Sequence, residues 1–431
     1  MNNVVIGQTI YSWAKDIFNY NRSITGIGVR KTLKYLKKKV PELKIRSVKS
    51  GIKVFDWTIP SEWKVSEGYI ADLDGKKIID FKKNILHVLG YSQPVNLILS
   101  FKELNKHLYS IPSKPTAIPY RTSYYRRNWG FCLSHNQRKA FKKNKKYKVY
   151  IKSKLFSGVL NYGEIYFKGK SKKEIFFSCN ICHPNLANNE ISSPVVMTAL
   201  AKYLRNKKLK YSYRFIFVPE TIGAIAFLKK NYFKIKKKVI AGFTLSCLGD
   251  NKSYSLILSR EGNNYADKLA KINYKKNNIK FKEYSYIFRG SDERQYCSPK
   301  IDLPVCSILR TKYGSYHQYH TSLDNLNYIS PLGLGNSFKL LKSLVETVEK
   351  NEIYVATKKC EPQLIKYNLR DSIGGDYYSN KARIVSHLLA YSDGKNDLQD
   401  IVNKLKLQNI NTNLKEIKKV SKSLLKKGLL E

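Results

Sequence analysis

The sequence predicts an α/β protein in which a β-sheet is covered by helices on both faces. The main reason is an alternation between residues 130 and 350, where apolar runs of strand length are followed by segments with helical periodicity. Hydrophobic residues make up 42% of the chain, which is enough for packed cores. The length of 431 residues exceeds what one core usually supports, so two or three domains are expected.

The alternating region divides into distinct strands and helices. Strands are predicted at 174–179, 214–218, 239–245 and 305–309, and helices at 194–205, 221–231, 264–272 and 337–349. Two more helices are predicted near the start of the chain, at 11–20 and 29–40, with a turn at 23–26 between them. Ligands of α/β sheets bind beyond the carboxyl ends of the strands, so a functional site is expected in the loops that follow these strands.

A second domain is expected inside the first. Residues 46–125 contain short alternating runs that are broken by prolines, which predicts a small β-rich module. It would be inserted between residues 1–45 and 126–355, which are the two parts of the α/β domain.

The third expected domain is helical and comprises residues 376–431. Its helices are predicted at 382–390, 397–404 and 414–427. Asp397 and Asn413 are the predicted N-caps, and Gly428 is the predicted C-cap. Three short helices of this kind are compatible with a winged-helix module and with an ordinary helical cap, and periodicity does not separate the two.

The net charge of +47 is the most unusual property of the composition. Such a charge can indicate a nucleic-acid or anionic-membrane partner. The lysines, however, are spread over the whole length, and asparagine, isoleucine and tyrosine are abundant as well. A compositional bias therefore explains the charge better, and a nucleic acid is not expected as a partner. A DNA-binding regulator built on residues 376–431 is the weakest of the alternatives.

The compartment is expected to be the cytoplasm. The seven cysteines are odd in number and scattered, as is typical of reduced thiols in an intracellular protein. The apolar runs are shorter than the roughly 20 residues that cross a bilayer, so no membrane insertion is expected. The first ten residues do not have the pattern of a signal peptide. The oligomeric state is left open.

Polar and ionisable residues recur after the predicted strands. His183, Glu220 and Asp250 follow three successive strands, Asp292 comes next along the chain, and His320 follows the last strand. Each alone is weak, because single polar residues are common in loops. Imidazoles and carboxylates are zinc ligands, and a catalytic zinc needs three protein ligands and an open position for water. Their convergence at one sheet edge predicts a metallo-hydrolase site.

Longer motifs strengthen this prediction by resemblance. They include Arg-Ser-Ile-Thr-Gly at 22–26, Cys-His-Pro at 182–184, Pro-Glu-Thr-Ile-Gly at 219–223, Arg-Gly-Ser-Asp-Glu-Arg-Gln-Tyr at 289–296 and Tyr-His-Thr-Ser-Leu-Asp at 319–324. The chain resembles, over nearly its whole length, the aminopeptidase-like proteins found among bacterial surface-polysaccharide genes. The resemblance implies a zinc-aminopeptidase-like mixed sheet flanked by helices, a small β-rich insertion and a C-terminal winged helix.

The resemblance also implies roles for individual residues. Glu220 matches the catalytic general base, which activates a zinc-bound water to attack an amide. His183, Asp250 and His320 would hold the metal, and Asp292 would support the site. The implied substrate is a peptide or an amide-bearing small molecule.

Two positions depart from the family pattern. Asn180 stands where the family has its first histidine, and Asn189 stands where it has an aspartate that bridges two metals. Glu190 is the next residue and is a candidate substitute for that carboxylate, although a shift of one position redirects the side chain; Asn189 and Glu190 are both expected to support the site. Ligand number and charge set metal affinity, so one Zn²⁺ ion is expected rather than two, with no metal as the alternative. The hypotheses are an impaired zinc hydrolase and a non-catalytic binding or regulatory protein in surface-polysaccharide assembly.

Overall fold

The structure is a computed structural model, and it describes residues 3–370 and 379–431. The helices are α1 (Asn3–Phe18), α2 (Ile27–Lys39), α3 (Phe101–Leu104), α4 (His135–Lys139), α5 (Ser192–Leu204), α6 (Ile222–Lys236), α7 (Tyr265–Lys276), α8 (Glu293–Tyr296), α9 (Pro331–Lys350), α10 (Asn380–Tyr391), α11 (Leu398–Leu407) and α12 (Leu414–Lys426). The strands are β1 (Lys44–Lys49), β2 (Lys53–Val54), β3 (Trp57–Thr58), β4 (Glu62–Ala71), β5 (Lys77–Asp80), β6 (Val95–Ser100), β7 (Leu108–Tyr109), β8 (Phe131–Cys132), β9 (Lys146–Phe156), β10 (Val159–Phe167), β11 (Glu174–Asn180), β12 (Ser212–Val218), β13 (Val239–Ser246), β14 (Ser255–Ile257), β15 (Lys282–Tyr284), β16 (Val305–Leu309), β17 (Ile353–Val355) and β18 (Asp393–Asp397). The chain forms two compact units, Met1–Ser343 and Leu344–Glu431, which are described separately below.

The first unit is built on an eight-stranded sheet with the order β1-β10-β12-β11-β13-β16-β14-β15. Its centre, β12-β11-β13-β16, is parallel, whereas β1, β10 and β14 join it by antiparallel pairing. The sheet is therefore mixed, as predicted. Because the central strands run in the same direction, their carboxyl ends lie along one edge of the sheet.

Burial on both faces of the central sheet explains why its strands are continuous apolar runs. Phe176 and Phe177 are neighbours on β11, so their side chains point to opposite faces. Phe176 stacks on Phe227 of α6 with ring centroids 5.9 Å apart. Phe177 stacks on Phe215 of β12 at 5.2 Å, and all four rings are fully buried. Such two-sided burial is typical of parallel sheets covered by helices.

The predicted strands and helices of the alternating region are confirmed, with small differences at their ends. The largest difference is at α9, which is predicted from residue 337 and begins at Pro331. Proline is well tolerated at the first helical position, because the N–H that it lacks would have no helical partner there. The helix therefore starts at a residue that sequence patterns more often associate with loops.

A buried ion cluster lies within the sheet. Arg214 on β12 donates from Nε to Oε2 of Glu174 on β11 at 2.8 Å and from Nη2 to Oε1 at 3.1 Å. Its Nη1 donates to Glu164 on β10. The side chains of Arg214 and Glu174 are 5% and 0% exposed. One guanidinium thus joins three neighbouring strands through charge-assisted hydrogen bonds.

A four-stranded antiparallel sheet, in the order β5-β4-β9-β6, forms a second layer of structure in the first unit. It is composed of residues from 62 to 156, while β1 at residues 44–49 pairs with β10 in the large sheet. Two further two-stranded pairs are present among the described residues: β2-β3, which is antiparallel, and β7-β8, which is parallel. The division of this unit into an inserted domain at 46–125 and a surrounding domain stays a prediction.

The second unit contains α10, α11 and α12 together with the antiparallel pair β17-β18. The three helices predicted in this region are confirmed. Both predicted N-caps are present: Oδ1 of Asp397 accepts from Asp400 N at 2.8 Å, and Oδ1 of Asn413 accepts from Glu416 N at 3.0 Å. Gly428 follows α12 with a φ of +65°, as a glycine after a helix commonly does. Residues 376–378 of the predicted domain lie outside the described residues.

None of the helices in the described parts of the chain combines the length and the apolar character that crossing a membrane requires.

Candidate functional site

The loop after β11 carries the first part of the site. Cys182 and His183 lie in this loop, and both are buried. Their backbone N–H groups donate to one oxygen, Oε1 of Glu190, and the bond from His183 is 2.9 Å long. Glu190 is 1% exposed and belongs to a π-helical turn, Ala187–Ile191, that leads into α5. Its carboxylate therefore fixes the backbone of the loop that carries the histidine.

The imidazole of His183 lies between two carboxylates. Its Nδ1 is 2.8 Å from Oε2 of Glu190, and its Nε2 is 3.6 Å from Oε2 of Glu220. Burial lowers the pKa of His183, but the Glu190 carboxylate more than reverses this, so the pKa lies well above its usual value. The raised pKa favours the protonated ring, whose positive charge would offset the carboxylates on either side.

Glu220 follows β12, and its side chain is 25% exposed. Its backbone N–H donates to Sγ of Cys182 at 3.2 Å, and the N–H of Thr221 donates to Oδ1 of Asp292 at 2.7 Å. Thr221 has a φ of +64°, which is strained for a β-branched residue. Burial raises the pKa of Glu220 more than His183 lowers it. A carboxyl group with a raised pKa is suited to proton transfer.

His320 lies beside His183, although it comes much later in the chain. Its ring centroid is 5.3 Å from that of His183. Tyr120 contacts both imidazoles, with centroid distances of 4.8 Å to His183 and 5.3 Å to His320, and its N–H donates to the His320 carbonyl at 2.8 Å. Burial, together with the charge on His183, lowers the pKa of His320 to about 3. His320 is thus a neutral imidazole beside a charged one.

Asp292 and Asn180 border this group. Asp292 is 2% exposed, and burial followed by the neighbouring Glu220 raises its pKa well above the usual value. Asn180, at the end of β11, donates from Nδ2 to Oγ of Ser291 at 3.0 Å. The Asn180 amide therefore ties the strand to the loop that carries Asp292.

Asp250 lies after β13, as predicted, and its carboxylate accepts hydrogen bonds from three other residues. Oδ1 accepts from Thr311 Oγ1 at 2.6 Å and from Lys252 N at 2.9 Å. Oδ2 accepts from Asn188 Nδ2 at 3.0 Å and from Thr311 N at 3.1 Å. At 1% exposure, this carboxylate is a buried structural acceptor that connects three loops. The structure brings together His183, Glu190, Glu220 and His320, and the hydrogen bonds of the Asp250 oxygens are made to Thr311, Lys252 and Asn188.

Asn189 and the turn around it are held by a residue that the sequence analysis did not single out. Asp324 accepts from Asn188 N at 2.7 Å and from Asn189 N at 3.0 Å, and it also accepts from Tyr316 Oη at 3.1 Å. Oδ1 of Asn189 has no hydrogen-bond partner among the described residues. The only available signal for Asp324 was its place at the end of the 319–324 motif.

Asp324 leads to a prediction about pH. Burial raises its pKa to about 6, whereas an aspartate in an unfolded chain titrates at about 3.9. Between these values the folded protein holds a proton that the unfolded chain has released, so stability falls as the pH rises through this window. We expect the Asp324→Asn variant to gain about 3 kcal/mol relative to the wild type between pH 4 and pH 7, measured by urea unfolding. The exposed Asp74→Asn variant is the control, and an equal pH response of both variants contradicts the prediction.

A cavity of about 200 Å³ opens beside Glu220. Its lining residues are Ile24, Trp57, Tyr124, Tyr125, Cys182, His183, Glu220, Thr221 and Ile222. Trp57 and Tyr125 are partly exposed and meet edge to face, with ring centroids 5.6 Å apart. Nothing in the sequence placed these aromatic residues next to Glu220.

Comparison with known proteins places this geometry in a family. Residues 11–351 match the model of a domain family described as a domain of unknown function, DUF4910. The chain belongs to the DUF4910 family. Residues 352–431 match a winged helix-turn-helix family, so the second unit is a winged helix rather than an ordinary helical cap.

Relatives of this DUF4910 protein agree on the fold. A protein of Clostridium acetobutylicum, named for polysaccharide biosynthesis and for an aminopeptidase-like domain, is 41% identical over 94% of this chain and 92% of its own. A crystal structure from the same organism, described as a peptidase, superposes with a TM-score of 0.81 at 39% identity, covering 100% of this chain and 97% of the other. BSAP, a zinc aminopeptidase from Bacillus subtilis, superposes with a TM-score of 0.59 at 14% identity, covering 79% and 94%. The predicted aminopeptidase-like α/β fold with a C-terminal winged helix is confirmed.

Proposed function

We propose that this DUF4910 protein is a non-hydrolytic, aminopeptidase-like binding protein that acts in polysaccharide biosynthesis. The observation that carries the proposal is the position of His183, which has a carboxylate at each ring nitrogen. A protonated imidazole supplies, from within the chain, the positive charge that a metal ion supplies in a zinc site. The name of the 41% identical relative supports the biological setting.

The donor set supports the proposal as well, because it fits a catalytic zinc poorly. Such a site needs three protein ligands with free lone pairs. Cys182, His183 and Glu190 have candidate ligand atoms within 4.8 Å of one another. However, Oε1 of Glu190 accepts two backbone amides, and the pKa of His183 is raised by the neighbouring Glu190 carboxylate, which favours a ring without a free lone pair. Burial raises the pKa of Cys182 to about 12, which disfavours the thiolate that binds metals.

A second candidate function is an impaired hydrolase with one zinc ion. Two observations favour it: His320 is a neutral imidazole near His183, and Glu220 has the raised pKa of a general base. In this case Glu220 would take a proton from the attacking water, and the substrate would be a peptide or another amide. We propose a cytoplasmic location for the protein under either candidate function.

Metal analysis of the purified protein separates the two candidates. After incubation with zinc and removal of the excess, we expect less than about 0.1 equivalent of bound zinc, since a complete catalytic site would retain close to one. We also expect no cleavage of aminoacyl amides above background.

The hydrolase candidate makes the opposite prediction. It requires about one equivalent of zinc, together with cleavage that falls about 10²–10⁴-fold in the Glu220→Gln variant while the metal is retained. The Glu42→Gln variant, which changes a partly exposed carboxylate at an unrelated ion pair, is the matched control. That combination of results would contradict the non-hydrolytic binding function and support the hydrolase.

A further inference from the structure

The cavity beside Glu220 is small compared with most small-molecule sites. Its volume of about 200 Å³ lies below the roughly 300–1,000 Å³ of pockets for drug-sized ligands. It therefore has room for a single building block, such as one monosaccharide or one amino-acid residue. The volume does not distinguish a monosaccharide from an amino-acid residue, so the inference depends on the side chains that line the cavity.

One wall presents an aromatic surface that is costly to leave in water. Trp57 is 38% exposed and Tyr125 is 52% exposed, whereas Trp13 and Trp63 are each only 6% exposed. The Trp57 and Tyr125 rings form an aromatic platform. It is held in place, because Trp57 lies on the β2-β3 pair and Oη of Tyr125 donates to the Thr58 carbonyl at 3.3 Å. Fixed, exposed tryptophan and tyrosine rings are typical of residues that dominate binding energy.

The lining also contains polar groups. Glu220 is the carboxylate that lines the cavity, with Nε2 of His183 3.6 Å from its Oε2, and Thr221 adds a hydroxyl group whose oxygen accepts from Nη2 of Arg294 at 2.9 Å. Nδ1 of His183 is paired with Glu190, and Oη of Tyr124 is paired with Oη of Tyr120 at 2.8 Å, so these groups are already engaged. A carboxylate and aromatic rings that line the same small cavity favour a ligand with an amine cation.

We propose that this cavity binds an amino sugar, with the sugar ring against Trp57 and its ammonium group at Glu220. This inference rests on the proposed binding function of the same site. A pyranose ring has an apolar C–H face that packs on an aromatic ring and a polar rim that hydrogen-bonds. An amino-acid amide satisfies Glu220 through its amine but leaves the aromatic platform without a flat partner.

Calorimetric titration with three probes tests the proposal. Glucosamine offers ring and amine, glucose offers the ring alone, and glycinamide offers the amine alone. We expect glucosamine to bind with a Kd of about 1 mM and at least about tenfold more tightly than the other two. Trp57→Ala should weaken glucosamine binding about tenfold or more, and Glu220→Gln should reduce it to the level of glucose. Phe233→Ala, at an aromatic residue that is 84% exposed and does not line the cavity, should change nothing.

Two results overturn the amino-sugar proposal. One is glycinamide binding as tightly as glucosamine without any effect of Trp57→Ala, which identifies a peptide-type amine pocket. The other is the absence of measurable binding of glucosamine at about ten times the expected Kd. Bound zinc together with amide cleavage overturns the non-hydrolytic function instead. Because metal content and cleavage are measured separately from sugar binding, the two failures are distinguishable.

Discussion

Replacing Glu190 by leucine is expected to lower the free energy of unfolding by about 3–5 kcal/mol. The change leaves the N–H groups of Cys182 and His183 without their acceptor and removes the counter-charge of a buried imidazolium. Because Cys182, His183 and Glu190 are buried, we expect water to recover little of either loss. Urea unfolding at neutral pH measures the effect.

Two further variants identify the origin of this effect. Glu190→Gln keeps an acceptor for the amides and loses the charge, so we expect a smaller loss of about 1–3 kcal/mol. In a double-mutant cycle, His183→Leu should make Glu190→Leu less costly by at least about 1 kcal/mol, because the two side chains interact directly. A loss below about 1 kcal/mol in Glu190→Leu would mean that the loop reorganises without this carboxylate.

The second large effect is expected at the ion cluster in the sheet. Arg214→Leu leaves Glu174 fully buried without its partner and Glu164 without one of its donors. Removing one member of a buried ion pair typically costs about 3–5 kcal/mol, and we expect a loss of that size in urea unfolding. Cooperative unfolding should persist, since the apolar core on both faces is unchanged.

An exposed arginine provides the matched control. Arg205 forms an ion pair with Glu42 at 2.6 Å, but the two side chains are 40% and 34% exposed. Such pairs contribute about 0–1 kcal/mol, so Arg205→Leu should have little effect. If Arg214→Leu and Arg205→Leu cost the same, burial is not what makes the cluster important.

The fold was largely accessible from the sequence because its signals are local. The central strands are buried on both faces, so each appears as a continuous apolar run followed by a helical segment. The caps at Asp397 and Asn413 are equally local, since each is defined by contacts within three residues. The pairing of β1 with the large sheet is different, because it depends on a strand more than a hundred residues away.

The site was only partly accessible, because side-chain direction is decided by distant residues. The sequence placed Asp250 after the correct strand, but its direction is set by Thr311, which is 61 positions away. The contact between Trp57 and Tyr125 likewise joins separate elements. For Glu190, a shift of one position along the chain was expected to point the side chain in another direction. In the structure its carboxylate accepts from two backbone amides and lies against the His183 imidazole. Zinc ligation by His183, Asp250 and His320 stays a prediction.

The pairing of His183 with Glu190 also has a consequence for how the protein matures in the cell. A hydrolase whose ligands repel one another depends on metal delivery to complete its folded state. Under the proposed function the cation is instead a protonated His183, which is in place as soon as the loop after β11 meets the turn before α5. Under the proposed function, the supply of protein ready to bind its ligand is independent of the zinc status of the cell.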